Sequence, residues 1–351
     1  MKVVFEPLVE KVINPHSYGW FNSIPGRSAH EALKEILRMR GISWIIEGSL
    51  ELENFSSNDY QRLAKIFFKY VNPDDKDFYF KFFQAACSVS KTQIHPFKPG
   101  LAGITSTSKG VISPFVHLLF TPFDEYLVKL KKELEIWPSF SPPRGGGGGR
   151  STNTTQELLR PSFSFVRYAD KFVVGVSGNH RDTFYIRDLL KSFFFKELGL
   201  NLKTNNLNIV HLGSESAEFL GYYITTKYSS KYVKYPIHPN PLSPKEKRIP
   251  RLIINKKAIK EWLIFEGLAN VDGKPRYVGK WLYLPDGEII HRFNHILTRL
   301  KTYYLEVSNR GQLNEAGYII KYSLLHTLAA KHRMSLSKVL VKYISLLSSF
   351  P

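Results

Sequence analysis

The sequence predicts an α+β protein, in which a mixed N-terminal domain is followed by a helical C-terminal domain. A hairpin pattern occupies residues 163–178, where apolar β-forming runs flank a short polar tip with Ala169-Asp170 at the turn. The composition breaks at residues 137–156, which include Gly145–Gly149 and offer nothing for a core to pack against. Residues 251–351 instead repeat apolar side chains at helical spacing.

The composition indicates a polyanionic partner. The chain has 351 residues with a formal net charge of +19, and 43% of them are hydrophobic, which is typical of a globular protein. Such a charge favours nucleic acid over a membrane surface, and no apolar run is long enough to span a bilayer. Cys87 is the single cysteine, which excludes disulfides and a Cys-based zinc site. We expect no signal or transit peptide, because Met1 leads almost directly into folded-looking sequence.

The mixed domain contains helices and strands that can be predicted in order. Ser28 is a suitable N-cap for a helix with Ala32, Leu33 and Ile36 on one face. Residues 42–52 predict a central strand and residues 59–88 a helix, and another helix carries Phe115, Leu118, Leu119 and Phe123. After the hairpin, a helix ends at residues 193–199 with Gly199 as its C-cap, and residues 219–224 predict a strand. A basic connector follows at residues 225–250.

The C-terminal domain is predicted to consist of helices joined by short loops. Residues 253–268 form one amphipathic helix, and a basic loop at residues 273–280 precedes a second helix at residues 288–304. The apolar stripe of this second helix contains Ile289, Phe293, Ile296, Leu300 and Tyr303. Arg292 and Arg299 lie on another face and are expected to point to solvent. His291 and His295 have zinc-ligand spacing, but without an HExxH glutamate two ordinary surface histidines are the simpler interpretation.

Several of these segments resemble group II intron-encoded reverse transcriptases. Tyr168-Ala169-Asp170 resembles the Tyr-Ala-Asp-Asp hairpin of that family, and the stretch from Ser17 to Leu33 resembles its second conserved block. The C-terminal domain resembles maturase domain X, the thumb of the same family. That likeness is carried by Gly267-Leu268-Ala269-Asn270, Gly273-Lys274-Pro275, Tyr303-Tyr304, Asn309-Arg310, Lys321-Tyr322-Ser323 and Thr327-Leu328-Ala329.

The resemblance implies a particular architecture. Residues 1–224 would form a truncated right-hand fingers and palm region, interrupted by the Gly/Pro-rich insertion at residues 137–156. The basic connector would be an interdomain linker, and residues 251–351 would be the α-helical thumb. The family has further fingers sequence upstream of its second block, so we expect the fold to begin partway into the usual arrangement.

The resemblance also implies that polymerase chemistry is lost. Three family aspartates hold catalytic magnesium, and here Asp170 remains while Ser49 and Lys171 occupy the other two positions. A hydroxyl is a poor magnesium ligand and a lysine repels the ion. Glu51 shares a strand face with Ser49, but its carboxylate lies two residues further along, and a solvated acid is the simpler interpretation. The segment Thr105–Pro114 departs from a second family motif at Ser108 and Lys109. We therefore expect no enzyme activity, no metal and no cofactor, with Mg²⁺ absent from Asp170.

Positive charge in the thumb predicts an RNA-binding surface. Residues 251–351 contain 16 Lys or Arg against 7 Asp or Glu. Exposed Lys and Arg side chains contact phosphates, and folded RNA is recognised largely through its backbone and shape. The candidate RNA-binding residues are Lys245, Lys247, Arg248, Lys274, Arg276, Lys280, Arg292, Arg299, Arg310 and Lys321.

Three functions agree with this pattern. The first is a maturase that binds a group II intron and assists its splicing while the RNA performs the chemistry. The second is a maturase-derived structural component of a ribonucleoprotein such as an organellar ribosome, bound to ribosomal RNA and to other proteins of the particle. The third is an active reverse transcriptase, which Ser49 and Lys171 disfavour. For the first two we expect an organellar location, mitochondrial rather than plastid, with the gene in the organelle.

Overall fold

The computed structural model describes residues 14–19, 27–49, 81, 120–136, 162–199, 207–228 and 248–343. Within these ranges the secondary structure is mixed, with seven α-helices and eight strands, and the predicted α+β class is confirmed. The chain divides into two compact units. The first unit comprises Met1–Phe97, Thr107–Phe219 and Ile224–Arg251, and the second comprises Lys98–Ser106, Leu220–Tyr223 and Leu252–Pro351. No helix in the described ranges has the length and apolarity needed to cross a bilayer.

The first unit is built around a five-stranded sheet. Its elements in chain order are β1 (Ser17–Tyr18), α1 (Ala29–Arg38), β2 (Trp44–Ser49), α2 (Thr121–Ile136), β3 (Phe163–Tyr168), β4 (Lys171–Val176), α3 (His180–Lys196) and β5 (Leu207–His211). The strand order is β1-β3-β4-β2-β5, in which β1 and β3 are parallel and the other pairs are antiparallel. The predicted hairpin is confirmed, because Tyr168 pairs with Lys171 and leaves Ala169-Asp170 as a two-residue turn.

The helices of the first unit begin where their caps predict. The Ser28 hydroxyl accepts a hydrogen bond from the Glu31 backbone at 3.3 Å, as its N-cap assignment requires. Asn179 and Asp182 form a reciprocal capping box at the start of α3. In α2 the buried side chains recur at helical spacing and enter the core beside the sheet; they are Phe123, Leu127, Leu130 and Leu134.

Several predicted boundaries differ in the structure. The helix predicted over residues 253–268 begins only at Lys256 and ends at Phe265, because residues 253–254 belong to a strand. The strand predicted over residues 219–224 is interrupted, because β6 (Ala217–Phe219) ends before a turn and β7 (Tyr222–Tyr228) begins after it. Leu220 and Gly221 both have positive φ values, 51° and 79°, which a continuous strand cannot accommodate. The basic connector starts and ends inside β7 and β8 (Arg248–Ile254), with residues 229–247 outside the described ranges. Helix α3 ends at Lys196, so Gly199 follows the C-cap instead of forming it.

The second unit consists mainly of α4 (Lys256–Phe265), α5 (Asp286–Tyr303), α6 (Leu313–His332) and α7 (Leu336–Lys342), with short 3-10 turns at Gly279–Trp281 and Arg310–Gln312. Helix α5 buries Ile289, Phe293, Leu297, Leu300 and Tyr303. The predicted stripe was therefore wrong at Ile296, which is only half-buried, because the helix turns Leu297 into the core.

Buried tyrosines hold the start of the second unit together. The Tyr303 hydroxyl donates to the Leu220 carbonyl at 2.7 Å, and the Tyr304 hydroxyl donates to the Gly221 carbonyl at 3.0 Å. The Tyr222 hydroxyl donates to the carbonyl of Tyr303, and burial raises the pKa of Tyr222. The strained turn is thus stabilised from the end of α5.

Arg167 forms a buried ion pair at the end of β3. Only 1% of its side chain is exposed, and its guanidinium donates from Nε and Nη2 to the two carboxylate oxygens of Asp124, whose own side chain is 2% exposed. Nη2 also donates to the Ser17 hydroxyl, and Nη1 donates to the Ala169 carbonyl at 2.8 Å. The Phe120 ring lies 5.6 Å from the guanidinium carbon. Arg167 therefore belongs to the core and not to the polar tip of the hairpin.

Breaking this pair is expected to destabilise the first unit strongly. Arg167→Met leaves Asp124 as an uncompensated buried charge, and the expected loss is about 3–5 kcal/mol of unfolding free energy. The double variant Arg167→Met/Asp124→Leu should recover much of that loss, because no charge is then left buried. Denaturant unfolding measures both.

The matched control is Arg38→Met, which removes an exposed ion pair with Glu35. Exposed pairs contribute at most about 1 kcal/mol, so this variant should unfold almost as the wild type does. Equal losses for Arg167→Met and Arg38→Met would contradict the role assigned to the buried pair.

Candidate functional site

The tip of the β3–β4 hairpin brings together the three positions that the resemblance assigns to metal binding. Strands β2 and β4 pair so that Ser49 lies directly opposite Lys171, and Asp170 precedes Lys171 in the turn. All three residues are half-buried. Directly opposed residues on neighbouring antiparallel strands have Cβ atoms about 4.5–5.5 Å apart, so the Ser49 and Lys171 side chains are neighbours, with Asp170 next to Lys171 in the turn.

These residues do not fit a pair of magnesium ions. Two-metal sites need several oxygen ligands, chiefly carboxylates, around ions about 3.5–4 Å apart. The tip offers one carboxylate, one neutral hydroxyl and one ammonium group. Glu47, which shares a strand face with Ser49, accepts hydrogen bonds from the Asn208 amide at 2.8 Å and the Glu218 backbone N–H at 2.7 Å. Glu51 lies outside the described residues.

The β3–β4 hairpin and the neighbouring strand β2 keep the residues on which their own packing depends. The Phe172 ring lies over Gly48, where a Cβ atom would come within 2.1 Å of the ring. Ala169 has a φ of 56°, which is unfavourable for a residue with a Cβ. Its backbone is held by Arg167 and by a 3.1 Å hydrogen bond from its N–H to the Tyr18 carbonyl. Gly48, Arg167 and the Tyr18 carbonyl therefore help to fix the hairpin geometry.

The second unit presents the predicted basic loop in a fixed conformation. We use the name basic loop for residues 270–280, which include the basic stretch predicted at residues 273–280. Asn270 closes it, because its side-chain oxygen accepts from the Lys274 backbone N–H at 2.8 Å and its own N–H donates to the Lys274 carbonyl. The side chains of Lys274, Arg276 and Lys280 are all exposed, as an interface requires.

Two buried hydroxyls of α6 attach this loop to the helical core. Ser323 donates to the Arg276 carbonyl at 2.5 Å, and the Thr327 hydroxyl accepts from the Val278 backbone N–H at 3.0 Å. Sequence analysis did not identify this function, although the spacing of four residues places both hydroxyls on one helical face. The loop is therefore held at both Arg276 and Val278.

A cleft of about 570 Å³ lies beside α5 and α6, and we call it the α5–α6 cleft. It brings together Arg310 and Lys321, which were predicted to bind RNA, with Lys301, which was not. The Arg310 guanidinium donates to the Leu305 carbonyl, so the side chain is already oriented. The remaining lining residues are Leu297, Tyr304, Leu305, Leu313, Asn314, Gly317 and Tyr318. No carboxylate is among these residues.

The other predicted RNA-binding residues are placed differently. Arg292 forms a 2.8 Å ion pair with Glu288 and its guanidinium carbon lies 5.8 Å from the Trp281 ring centre. It therefore does not simply point to solvent, and Arg299 is half-buried as well. Arg248 lies in β8, and its carbonyl accepts from the Gly41 N–H. Lys245 and Lys247 lie outside the described ranges.

The two histidines with zinc-ligand spacing are both exposed. Across the described ranges, no three His, Cys, Asp or Glu side chains gather in a way that could hold a metal ion.

A polar cluster at the start of α5 ties three helices together. Asp286 accepts from Lys331 at 2.6 Å, contacts His332 at 2.8 Å, and accepts from the Tyr343 hydroxyl. Burial alone would raise the pKa of Asp286, but the hydrogen bonds from Lys331, Tyr343 and His332 outweigh it and lower the pKa to about 2. Burial and the Asp286 carboxylate together raise the pKa of Tyr343 to about 12.

The comparisons with known proteins agree with this arrangement. The type II intron maturase family model matches residues 248–351. The chain is 26% identical to the group II intron-encoded protein LtrA of Lactococcus lactis subsp. cremoris, an alignment that covers 97% of this chain and 61% of LtrA. It is 25% identical to an uncharacterized 91 kDa protein in the cob intron of Schizosaccharomyces pombe, covering 98% of this chain and 44% of that protein. Maturase K of Sequoia sempervirens is 27% identical over 52% of this chain and 36% of its own length.

The C-terminal residues therefore match the type II intron maturase domain. Over nearly its whole length the chain is similar to group II intron-encoded proteins. It spans about three-fifths or less of the length of these curated relatives.

The Asp286 cluster should make the second unit sensitive to acid. The pKa of Asp286 is lower in the folded protein than its ordinary value of 3.8, so the stabilisation is complete above pH 4 and is lost as the pH falls towards 2. Asp286→Asn removes this dependence and should cost on the order of 1 kcal/mol at pH 7, since the site is partly solvated. Unfolding measured from pH 7 to pH 2 tests both.

The free energies of the wild type and Asp286→Asn should converge as the pH approaches 2. Glu315→Gln is the control, because Glu315 is an exposed acid in the first turn of α6 and is not part of the Asp286 cluster. A constant difference between the wild type and Asp286→Asn over the whole pH range would contradict the assignment.

Proposed function

We propose that the chain is an RNA-binding group II intron maturase that assists intron folding and splicing and has lost reverse-transcriptase activity. Its first unit would correspond to a truncated fingers and palm region of a right-hand polymerase, and its second unit to the thumb. The observation that carries the proposal is the contrast between the two sites. The hairpin tip carries the single carboxylate of Asp170 beside Ser49 and Lys171, whereas the second unit presents exposed cations on a fixed backbone.

The hairpin tip supports the loss of polymerisation. Polymerisation requires carboxylates on both strands of the site, and here Ser49 faces Lys171 across the β2–β4 pair. The ammonium group of Lys171 adds repulsion towards a divalent cation in a half-buried position. Asp170 would then remain as part of a folded turn rather than as a metal ligand.

The second unit supports RNA binding without catalysis. Lys274, Arg276 and Lys280 are exposed on the basic loop, and none of them has a carboxylate within ion-pair distance among the described residues. Phosphate contacts of this kind release counterions and supply much of the affinity for RNA. Because Ser323 and Thr327 hold the loop, little conformational entropy is lost when it meets a phosphate backbone.

The RNA that the protein binds is proposed to be the intron of an organelle. A relative named for a cob intron and relatives named maturase K support an organellar location. Crosslinking followed by sequencing of the bound RNA tests the proposal directly. Intron sequence supports a maturase, while recovery of ribosomal RNA alone would overturn it in favour of a structural role in a ribonucleoprotein.

Primer extension on an RNA template should give no product with Mg²⁺ or Mn²⁺. For the same reason, Mg²⁺ should leave the melting temperature of the wild type unchanged but should stabilise the variant Ser49→Asp/Lys171→Asp, in which three carboxylates surround the tip. Asp170→Ala should retain RNA binding and splicing assistance. Extension by the wild type that Asp170→Ala abolishes would show that the site is active.

Charge reversal in the basic loop should weaken RNA binding and reduce its salt dependence. Each phosphate contact contributes about 0.7–0.9 to the slope of log K against log salt, so Lys274→Glu/Arg276→Glu/Lys280→Glu should lower its magnitude by about 2–3. The dissociation constant for RNA, measured across a salt series, gives the slope.

The matched control introduces the same charge change at exposed positions on helices of the first unit. Lys129→Glu/Lys132→Glu/Lys196→Glu alters net charge equally but touches no residue of the basic loop. If both triple variants reduce the slope by the same amount, the loop has no special role and binding follows net charge alone.

A further inference from the structure

The α5–α6 cleft combines features that phosphate contacts alone do not require. Its walls carry Lys301, Arg310 and Lys321, while Leu297, Leu305 and Leu313 contribute apolar surface beside the buried ring of Tyr304. A flat basic surface would suffice to hold an RNA backbone. A volume of about 570 Å³ instead lies within the range of about 300–1,000 Å³ that is typical of small-ligand sites.

Tyr318 presents an aromatic surface at this cleft. It is 53% exposed although it is a large apolar residue, and its ring centre lies 4.2 Å from that of Tyr322, one turn further along α6. Tyr322 supports the ring from one side and limits its rotation. An exposed, supported aromatic ring is the kind of group on which unpaired nucleic-acid bases stack.

The three cations are placed to meet a phosphate beside that ring. Lys321 follows Tyr318 by three residues and so lies on the same face of α6. Lys301 is near the end of α5, and Arg310 is fixed by the Leu305 carbonyl with further N–H groups left for an anion. Lys301 and Lys321 have no carboxylate within ion-pair distance in the described part of the chain.

The position of Arg310 depends on the preceding residue. Asn309 accepts from the Ile254 backbone N–H at 3.0 Å and donates from its amide to the Gln312 side chain at 2.8 Å. These bonds fix the short 3-10 turn Arg310–Gln312 at the edge of the cleft. Asn314 adds an exposed amide that can both donate to and accept from the edge of a base.

We propose that the α5–α6 cleft binds one unpaired RNA nucleotide, with its base stacked on Tyr318 and its phosphate contacted by Lys301, Arg310 and Lys321. This inference rests on the proposed RNA-binding function and makes it more specific. The basic loop holds RNA through phosphates irrespective of strandedness, whereas the cleft selects a nucleotide that is not base-paired. A paired base cannot enter, because its faces are already stacked within the helix.

Two RNA probes of equal length test the proposal with the full chain, namely an unstructured oligouridine and a blunt duplex. Tyr318→Ala should weaken binding of oligouridine by about 5- to 150-fold, the range measured for the loss of one stacked base. Binding of the duplex should change by less than about twofold. Tyr318→Phe keeps the ring and should bind both probes as the wild type does, while Tyr318→Leu should behave as Tyr318→Ala.

Tyr283→Ala is the matched control, because Tyr283 is 81% exposed in the same unit and does not line the cleft. It should leave both affinities unchanged. A second readout is the fluorescence of 2-aminopurine placed in the oligonucleotide, which stacking quenches. The quenching should disappear in Tyr318→Ala and persist in Tyr318→Phe and Tyr283→Ala.

The outcomes separate the inference from the proposed function. If the wild type binds RNA and Tyr318→Ala binds oligouridine equally well, the cleft assignment fails while the maturase proposal stands. Equal weakening of oligouridine and duplex binding by Tyr318→Ala would also overturn the cleft assignment. So would displacement of oligouridine by oligoglutamate, a polyanion without bases, if it were equally effective with the wild type and with Tyr318→Ala. If the wild type binds neither probe nor intron RNA, both proposals fail.

Discussion

The bidentate ion pair between Arg167 and Asp124 constrains the geometry of the first unit. It joins the end of β3 to the first turn of α2, and through Ser17 and the Ala169 carbonyl it also reaches β1 and the hairpin turn. A guanidinium with these partners has its charge compensated and most of its donors used, so it tolerates burial that an isolated cation would not. The turn at Ala169, with its unfavourable φ of 56°, is therefore held by the Arg167 side chain.

This constraint is compatible with the proposed loss of metal binding, because it fixes the hairpin through other residues. The positions that determine its shape are Gly48 beneath Phe172, Ala169 in the turn and Arg167 in the core. Ser49 and Lys171 are half-buried at the tip, opposite each other on neighbouring strands. Shape and chemistry thus depend on different side chains, and one can change while the other is maintained.

Buried polar side chains also fix the surface of the second unit. Buried hydroxyls and amides fix the backbone, and the cations project from it. Ser323 and Thr327 hold the basic loop, Asn309 holds the turn that carries Arg310, and Asp286 ties α5 to α6 and α7. The fixed backbone loses little entropy on meeting a polyanion, so the cost of ordering falls on the lysine and arginine side chains.

The sequence by itself determined the α+β class, the hairpin with its turn at Ala169-Asp170, the Ser28 cap and the helices of the second unit, because these depend on local periodicity and capping. It also identified Arg310 and Lys321 as basic surface residues. Only the tertiary structure decided that Arg167 is buried, that Arg292 pairs with Glu288, and that Lys301 and Tyr318 share a cleft with Arg310 and Lys321. Burial and pairing depend on contacts between residues that are distant in the chain, such as Asp124 and Arg167. A local sequence pattern does not show which distant residues come into contact.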